Sequence, residues 1–188
     1  APDLVDIYEL EIHPDDSYLY KYDGRWRPVA KAMAQHYSLK AGDKVLDVGC
    51  GKAFLIYELT QEVPGLEVAG IDISEYGIEN AKEEVKPFLR LGNATSLPYE
   101  DNEFDYVVSV NTIHNLDVYD LSTAVKEIQR VGKGNKKHIE VDSYRNEREK
   151  ANLLYWQITC QAFYTPDEWE WFLNDNGYTG DFCYIAFQ

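Results

Sequence analysis

Apolar and polar positions along the middle of the chain switch repeatedly between two spacings. Lys44-Val45-Leu46-Asp47-Val48 is a short apolar run closed by Gly49, the pattern of a buried strand. Phe54 to Glu62 then reads as a helix, and Leu66 to Asp72 as a second strand. Ser74 is placed to cap a following helix that runs to about Val85. Phe88 to Gly92 and Phe104 to Val110 supply two further strands. Leu121, Val125, Ile128 and Val131 recur at helical spacing until Gly132 stops them, and His138 to Asp142 makes a fifth strand. Alternation of this kind predicts an α/β fold: a doubly wound, mostly parallel sheet with helices on both faces.

Two flanks stand outside this pattern. Residues 1–37 carry Tyr8, Tyr18, Tyr20, Tyr22 and Trp26, then a helix with Pro28 in its first turn and Val29, Met33 and Tyr37 facing inward. Residues 144–188 carry Tyr155, Trp156, Phe163 and Tyr164. Thr165 and Glu168 follow at capping-box spacing, with Pro166 at the first helical position. Trp169, Phe172 and Leu173 form the buried face of that helix, Gly177 ends it, and Tyr178 to Phe187 is a closing strand. The chain thus divides into an aromatic N-terminal cap segment, a core over 38–143 and a C-terminal substrate-side segment, all within one predicted domain.

Composition narrows the function classes. The 188 residues are 45% hydrophobic and 27% charged, an ordinary globular balance. A net charge of −15 with no basic run argues against nucleic-acid and anionic-membrane partners. There is no apolar stretch long enough for a membrane span, and the first residues lack the pattern of a signal peptide. Cys50, Cys160 and Cys183 are few and widely spaced, which fits reduced thiols and a cytoplasmic location. His13, His36 and His138 lack clustered ligand spacing, so no metal site is expected. The sequence leaves the oligomeric state open.

The chemistry concentrates in Asp47-Val48-Gly49-Cys50-Gly51-Lys52-Ala53, a glycine turn between strand and helix. In an open parallel sheet such a turn faces the crevice beyond the strand ends, where ligands bind. Asp47 just before it suits an ammonium or hydroxyl group better than a pyrophosphate. Asp72 ends the next strand, 25 residues on, placed to accept both hydrogen bonds of a ribose diol.

With these residues in place, the sequence resembles the class I S-adenosylmethionine-dependent methyltransferases over roughly 38–143. Val45 to Gly51 resembles that family's first motif and Gly70-Ile71-Asp72-Ile73-Ser74 its second. Gly92-Asn93-Ala94 with Leu97-Pro98-Tyr99, and then Phe104 to Ser109, are similar to the third and fourth. Glu127 to Val131 resembles the helix before the fifth strand.

The resemblance implies a Rossmann-like sheet, S-adenosylmethionine as cofactor and methyl transfer to an oxygen or nitrogen of a small-molecule acceptor. It implies that Gly49, Cys50 and Gly51 pass beneath the methionine part of the cofactor, with Asp47 near its amino group. Asp72 would hold the ribose, Ile73 would pack on the adenine, Asn93 and Ala94 would approach its edge, and Asn111 would face the sulfonium. Three positions depart from the pattern: Ala53 at the third glycine, Asn93 in place of an aspartate, and Gly132-Lys133-Gly134-Asn135 in place of the usual turn. One strand follows the last helix where the family commonly has two.

Catalytic candidates are His114 and Tyr144, each following a strand that opens into the crevice. His114 would accept the acceptor's proton or simply pack there. Tyr22, Trp26, Arg145 and Trp156 are candidates for the acceptor pocket, with Arg145 either gripping an acidic group or pairing with a neighbouring carboxylate. Two alternatives remain. A nicotinamide-dependent oxidoreductase would need a glycine where Phe54 stands. A catalytically silent cofactor-binding subunit would keep the same fold.

Overall fold

A computed structural model describes residues 21–187. Its helices are α1 (Trp26–His36), α2 (Phe54–Glu62), α3 (Glu75–Glu79), α4 (Val118–Val131), α5 (Glu147–Trp156) and α6 (Pro166–Asp175). Its strands are β1 (Lys44–Val48), β2 (Glu67–Asp72), β3 (Leu89–Leu91), β4 (Tyr106–Val110), β5 (Lys137–Ser143) and β6 (Asp181–Ala186). The six strands form one sheet in the order β3-β2-β1-β4-β5-β6, and every pairing is parallel. Chain order reverses between β1 and β4, which opens a crevice at their C-terminal ends.

Each face of the sheet is covered because strand residues alternate between two cores. On one side Leu46, Val48, Val107, Ile139 and Val141 pack under Leu121, Val125 and Ile128 of α4 and Trp169 of α6. The indole N–H of Trp169 donates to Asp142 O at 3.0 Å, which bolts α6 to β5. On the other side Val45, Tyr106 and Val108 meet Leu55 and Leu59 of α2 and Val29, Met33 and Tyr37 of the α1 segment. The residues expected to face inward from α1 do so, and that helix is therefore a structural layer lying against α2. Tyr8, Tyr18, Tyr20 and His13, with the rest of 1–20, lie outside the described residues.

Capping chemistry sets several boundaries. Thr165 and Glu168 make the reciprocal capping box, with Pro166 at the first helical position of α6. Asp117 caps α4 by accepting from the N–H groups of Tyr119 and Asp120, and Gly132 ends it. The helix expected from Ser74 to Val85 is only the short α3. Gly77 in its first turn sits against the backbone of Gly51, and Asn80 turns its side-chain amide back onto Tyr76 O at 2.9 Å. Glycine and a competing side-chain donor both work against continuing the helix.

Helix α5 was not foreseen. Asn146 caps it by accepting from the N–H of Glu149, yet it buries only Glu149 and Leu153, so no apolar stripe announces it. The closing strand is shorter than Tyr178 to Phe187. Tyr178 is instead buried in the core, with its hydroxyl donating to Asp181 O.

Candidate cofactor site

Leaving β1, the backbone reaches Gly49 with φ of 84°. A Cβ there would overlap the side chain of Thr112, so this position needs glycine both for its dihedral and for the close approach of the β4 loop. The N–H groups of Gly49 and Cys50 both donate to Ile71 O, at 2.7 and 3.1 Å, which ties the turn to β2. Ala53, at the third glycine position, adopts φ of 56° and keeps the left-handed geometry.

Asp72 is fixed by that turn. One carboxylate oxygen accepts from Gly51 N–H and the other from Ser74 N–H, both at 2.7 Å. Each oxygen keeps a second lone pair for an incoming hydroxyl. Asp47 is different. It lies 4% exposed, and burial, reinforced by the charge of Asp72, pushes its pKa up to about 8. At neutral pH it holds its proton, and an ammonium group brought beside it would favour the ionised form and draw that proton off.

Trp26, Asp47, Gly49, Cys50, Phe54 and Val110 border a cleft of about 140 Å³ at this point. A wider cleft of about 250 Å³ lies by Lys44, Glu67 and Phe104, at the opposite ends of the strands from the glycine turn. The Cys50 thiol is pushed far up by burial and holds its proton. Ile73, 75% exposed just past β2, offers an apolar platform beside Asp72.

The 97–99 loop is braced by residues to which the sequence pattern gave no role. Arg130 donates to the carbonyls of Leu97 and Tyr99 at 3.0 and 2.8 Å and pairs with Asp101 and Glu127. Glu127 in turn accepts from Leu97 N–H at 2.8 Å. Asn93 is exposed, its side-chain oxygen accepting from Thr95 N–H, and Ala94 packs on the core beneath it. Asn111 is exposed at the end of β4 with φ of 51°.

On the acceptor side, His114 is 1% exposed and both its ring nitrogens face Asp142. Its Nδ1 accepts from Asp142 N–H at 3.2 Å, which puts the ring proton on Nε2, 3.3 Å from the Asp142 carboxylate. Burial lowers His114 to about 4 and raises Asp142 to about 7, so the imidazole is uncharged at neutral pH. Tyr144 is half-buried beyond β5, with the Lys150 ammonium over its ring. Arg145, just before the cap of α5, holds Glu149 of its first turn through Nε and Nη2. Tyr22 packs edge-on against Phe54 and Tyr57 and donates to Glu58, which places it on α2. Trp26 alone of the four acceptor-pocket candidates borders the Gly49 cleft, while Trp156 is exposed beside Tyr155 on α5.

A family model described as a methyltransferase domain matches residues 39–177. The chain belongs to the class I S-adenosylmethionine-dependent methyltransferase family. This methyltransferase domain is 32% identical over 159 residues to the demethylmenaquinone methyltransferase of Staphylococcus saprophyticus, covering 78% of this chain and 66% of that one. It is 39% identical over 111 residues to the enzyme of the same name from Staphylococcus haemolyticus, covering 56% and 44%. The chain thus spans between 44% and 66% of the length of these relatives. Among solved structures, the [4+2]-cyclase SpnF superposes with a TM-score of 0.67 at 21% identity, covering 84% of this chain and 62% of that one. That likeness shows the fold.

Among the described residues no helix is long and apolar enough to cross a membrane. The residues present fit the family's cofactor: a cation-receptive Asp47, an anchored diol acceptor in Asp72, a side-chain-free passage at Gly49 and an apolar platform at Ile73.

Proposed function

We propose that this domain transfers a methyl group from S-adenosylmethionine to a small, aromatic and largely apolar acceptor. The observation that carries the reading is the pairing of the Gly49 turn with Asp47 and Asp72 at the point where strand order reverses. When bound, the cofactor supplies an electrophilic methyl on a sulfonium. The protein's own contribution is positioning: Asp72 orients the ribose, Asp47 the amino end, and the braced 97–99 loop the adenine edge.

With the cofactor bound, its methyl would pass to the acceptor's nucleophilic atom, leaving the neutral thioether product, and the acceptor's proton would pass to solvent. His114, buried and engaged by Asp142, serves that reading as a positioning residue at the acceptor side, with Tyr144 just past β5. An acceptor grip by Arg145 would have to replace its pair with Glu149.

Two observations favour an apolar aromatic acceptor. Leu154, Tyr155, Trp156 and Ile158 are exposed together at the end of α5, past the strand end that opens on the crevice. The relatives that match carry demethylmenaquinone in their names, which favours a ring carbon of a demethylated quinol over an oxygen or nitrogen.

Calorimetry with S-adenosylmethionine, S-adenosylhomocysteine and NAD, followed by methyl-label transfer to a demethylated naphthoquinol, a catechol and an arylamine, tests both levels. We expect micromolar-scale binding of the first two, none of NAD, and label in the naphthoquinol ring. Binding of NAD alone overturns the family reading for this chain. Label only in the catechol or the amine overturns the ring-carbon acceptor and returns the oxygen or nitrogen reading.

A further inference from the structure

On the face of the sheet that carries α1, two neighbouring strands bring three metal-binding side chains together. His138 and Glu140 stand two apart on β5 and therefore share a face. Cys183 is the register partner of Glu140 on β6 and faces the same way. All three are buried, at 1%, 1% and 4% exposure. Cys183 Sγ lies 3.5 Å from His138 Nε2 and 3.6 Å from a Glu140 carboxylate oxygen, and one donor atom from each residue falls within 4.8 Å of the others.

We propose that His138, Glu140 and Cys183 form a structural site for a zinc-class divalent ion that clamps β6 to β5. The geometry carries this first. Zinc bonds of about 2.3 Å to sulfur and about 2.0–2.1 Å to nitrogen or oxygen, at tetrahedral angles, separate sulfur from its neighbouring donors by about 3.5 Å. The two sulfur separations in the protein already have that value. Charge carries it second. A thiolate, a carboxylate and a neutral imidazole sum to −2, which a divalent ion neutralises inside a buried pocket. Binding replaces the Cys183 S–H by an S–metal bond and releases that one proton to solvent; no electron moves.

The surroundings supply what a metal-bound histidine needs on its other nitrogen. Tyr37 OH donates to Asp181 at 2.9 Å and lies 3.4 Å from His138 Nδ1, so its lone pair is available to the Nδ1–H. Asp181 also meets His36 Nε2 at 3.0 Å. This carboxylate–tyrosine–histidine chain fixes the tautomer with the Nε2 lone pair turned toward Cys183 and Glu140. Three protein donors leave one position for water or for the second Glu140 oxygen. Ligand spacing in the sequence hid the site, because Cys183 reaches it only through the β5–β6 pairing.

The inference is independent of methyl transfer, and its test needs no activity. The untagged full chain is produced in zinc-supplemented and in cobalt-supplemented medium, and bound metal is measured by mass spectrometry. We expect one equivalent of ion per chain, a thiolate-to-cobalt charge-transfer band, and tetrahedral d–d bands in the cobalt form. The band should persist in Cys50→Ser and Cys160→Ser and vanish in Cys183→Ser. Tyr37→Phe, which keeps the donors but cuts the supporting chain, should weaken metal affinity roughly 10- to 100-fold. Should Cys183→Ser fail to fold, the parent protein decides alone, since the melting temperature of the zinc-loaded form must exceed that of protein made in chelated medium. Metal well below one equivalent, a cobalt form without the thiolate band, or a band that survives Cys183→Ser overturns the site and leaves a hydrogen-bonded trio.

Discussion

Replacing Asp72 by alanine is expected to weaken S-adenosylhomocysteine binding by roughly 30- to 1,000-fold. Two charge-assisted hydrogen bonds to the ribose diol are lost, worth about 2–4 kcal/mol together. The structure adds a second source of loss. The same carboxylate holds Gly51 N–H and Ser74 N–H, so the glycine turn also loses its anchor. Asp72→Asn separates the two contributions. Its one carbonyl oxygen still accepts from one backbone N–H, while its amide group confronts the other, so its affinity should fall between parent and alanine variant. Calorimetry reports the affinity, and circular dichroism with thermal melting reports the fold. An alanine variant that melts as the parent does and binds the cofactor product equally well removes Asp72 from the site.

Asp47→Asn should trade cofactor affinity for stability. Charge-assisted contact with the cofactor's amino group contributes about 1.5–3 kcal/mol, so binding should weaken roughly 10- to 150-fold. In the absence of cofactor the same variant should be more stable than the parent at pH 8. The sign follows from proton counting. Unfolded Asp47 releases its proton near the ordinary aspartate value of 3.8, whereas the folded protein holds that proton to about pH 8. Between these values the folded state binds more protons, so the parent loses stability as pH rises. Asparagine has no proton to hold and lacks this slope, while Asp142, raised to about 7, keeps its own share in both proteins. Thermal melts between pH 5 and 8 with and without S-adenosylhomocysteine measure both arms. A variant whose melting profile parallels the parent's across that window contradicts the buried, proton-holding Asp47.

The strands and long helices could be read from the sequence because each obeys a local rule. β1, α2 and α4 have apolar periods that match their burial, and Thr165 and Gly132 mark helix ends by capping chemistry alone. What could not be read depends on contacts between distant residues. α3 stops early because Gly77 touches Gly51, 26 positions back, and α5 has no stripe because only two of its residues are buried. The candidate site was legible in the same way, since Asp47, Gly49 and Asp72 sit at the ends of readable strands. Thr112, which closes against Gly49, and Arg130, which braces the 97–99 loop, carry no local signature and emerge only from packing. Tyr22, a candidate for the acceptor pocket, has its aromatic partners on α2, a contact that no local pattern announces.

All seven residues of β5 are buried, paired with β4 on one side and β6 on the other. The free energy needed to expose its amides is therefore that of unfolding the whole sheet. α5, which follows directly, buries only Glu149 and Leu153 and reaches the last strand's end through Asn152, whose amide donates to Phe187 O at 3.2 Å. The two adjoining segments thus belong to different cooperative units. Opening α5 therefore costs less than opening β5, and amides of the two adjoining segments exchange at different rates within one folded molecule.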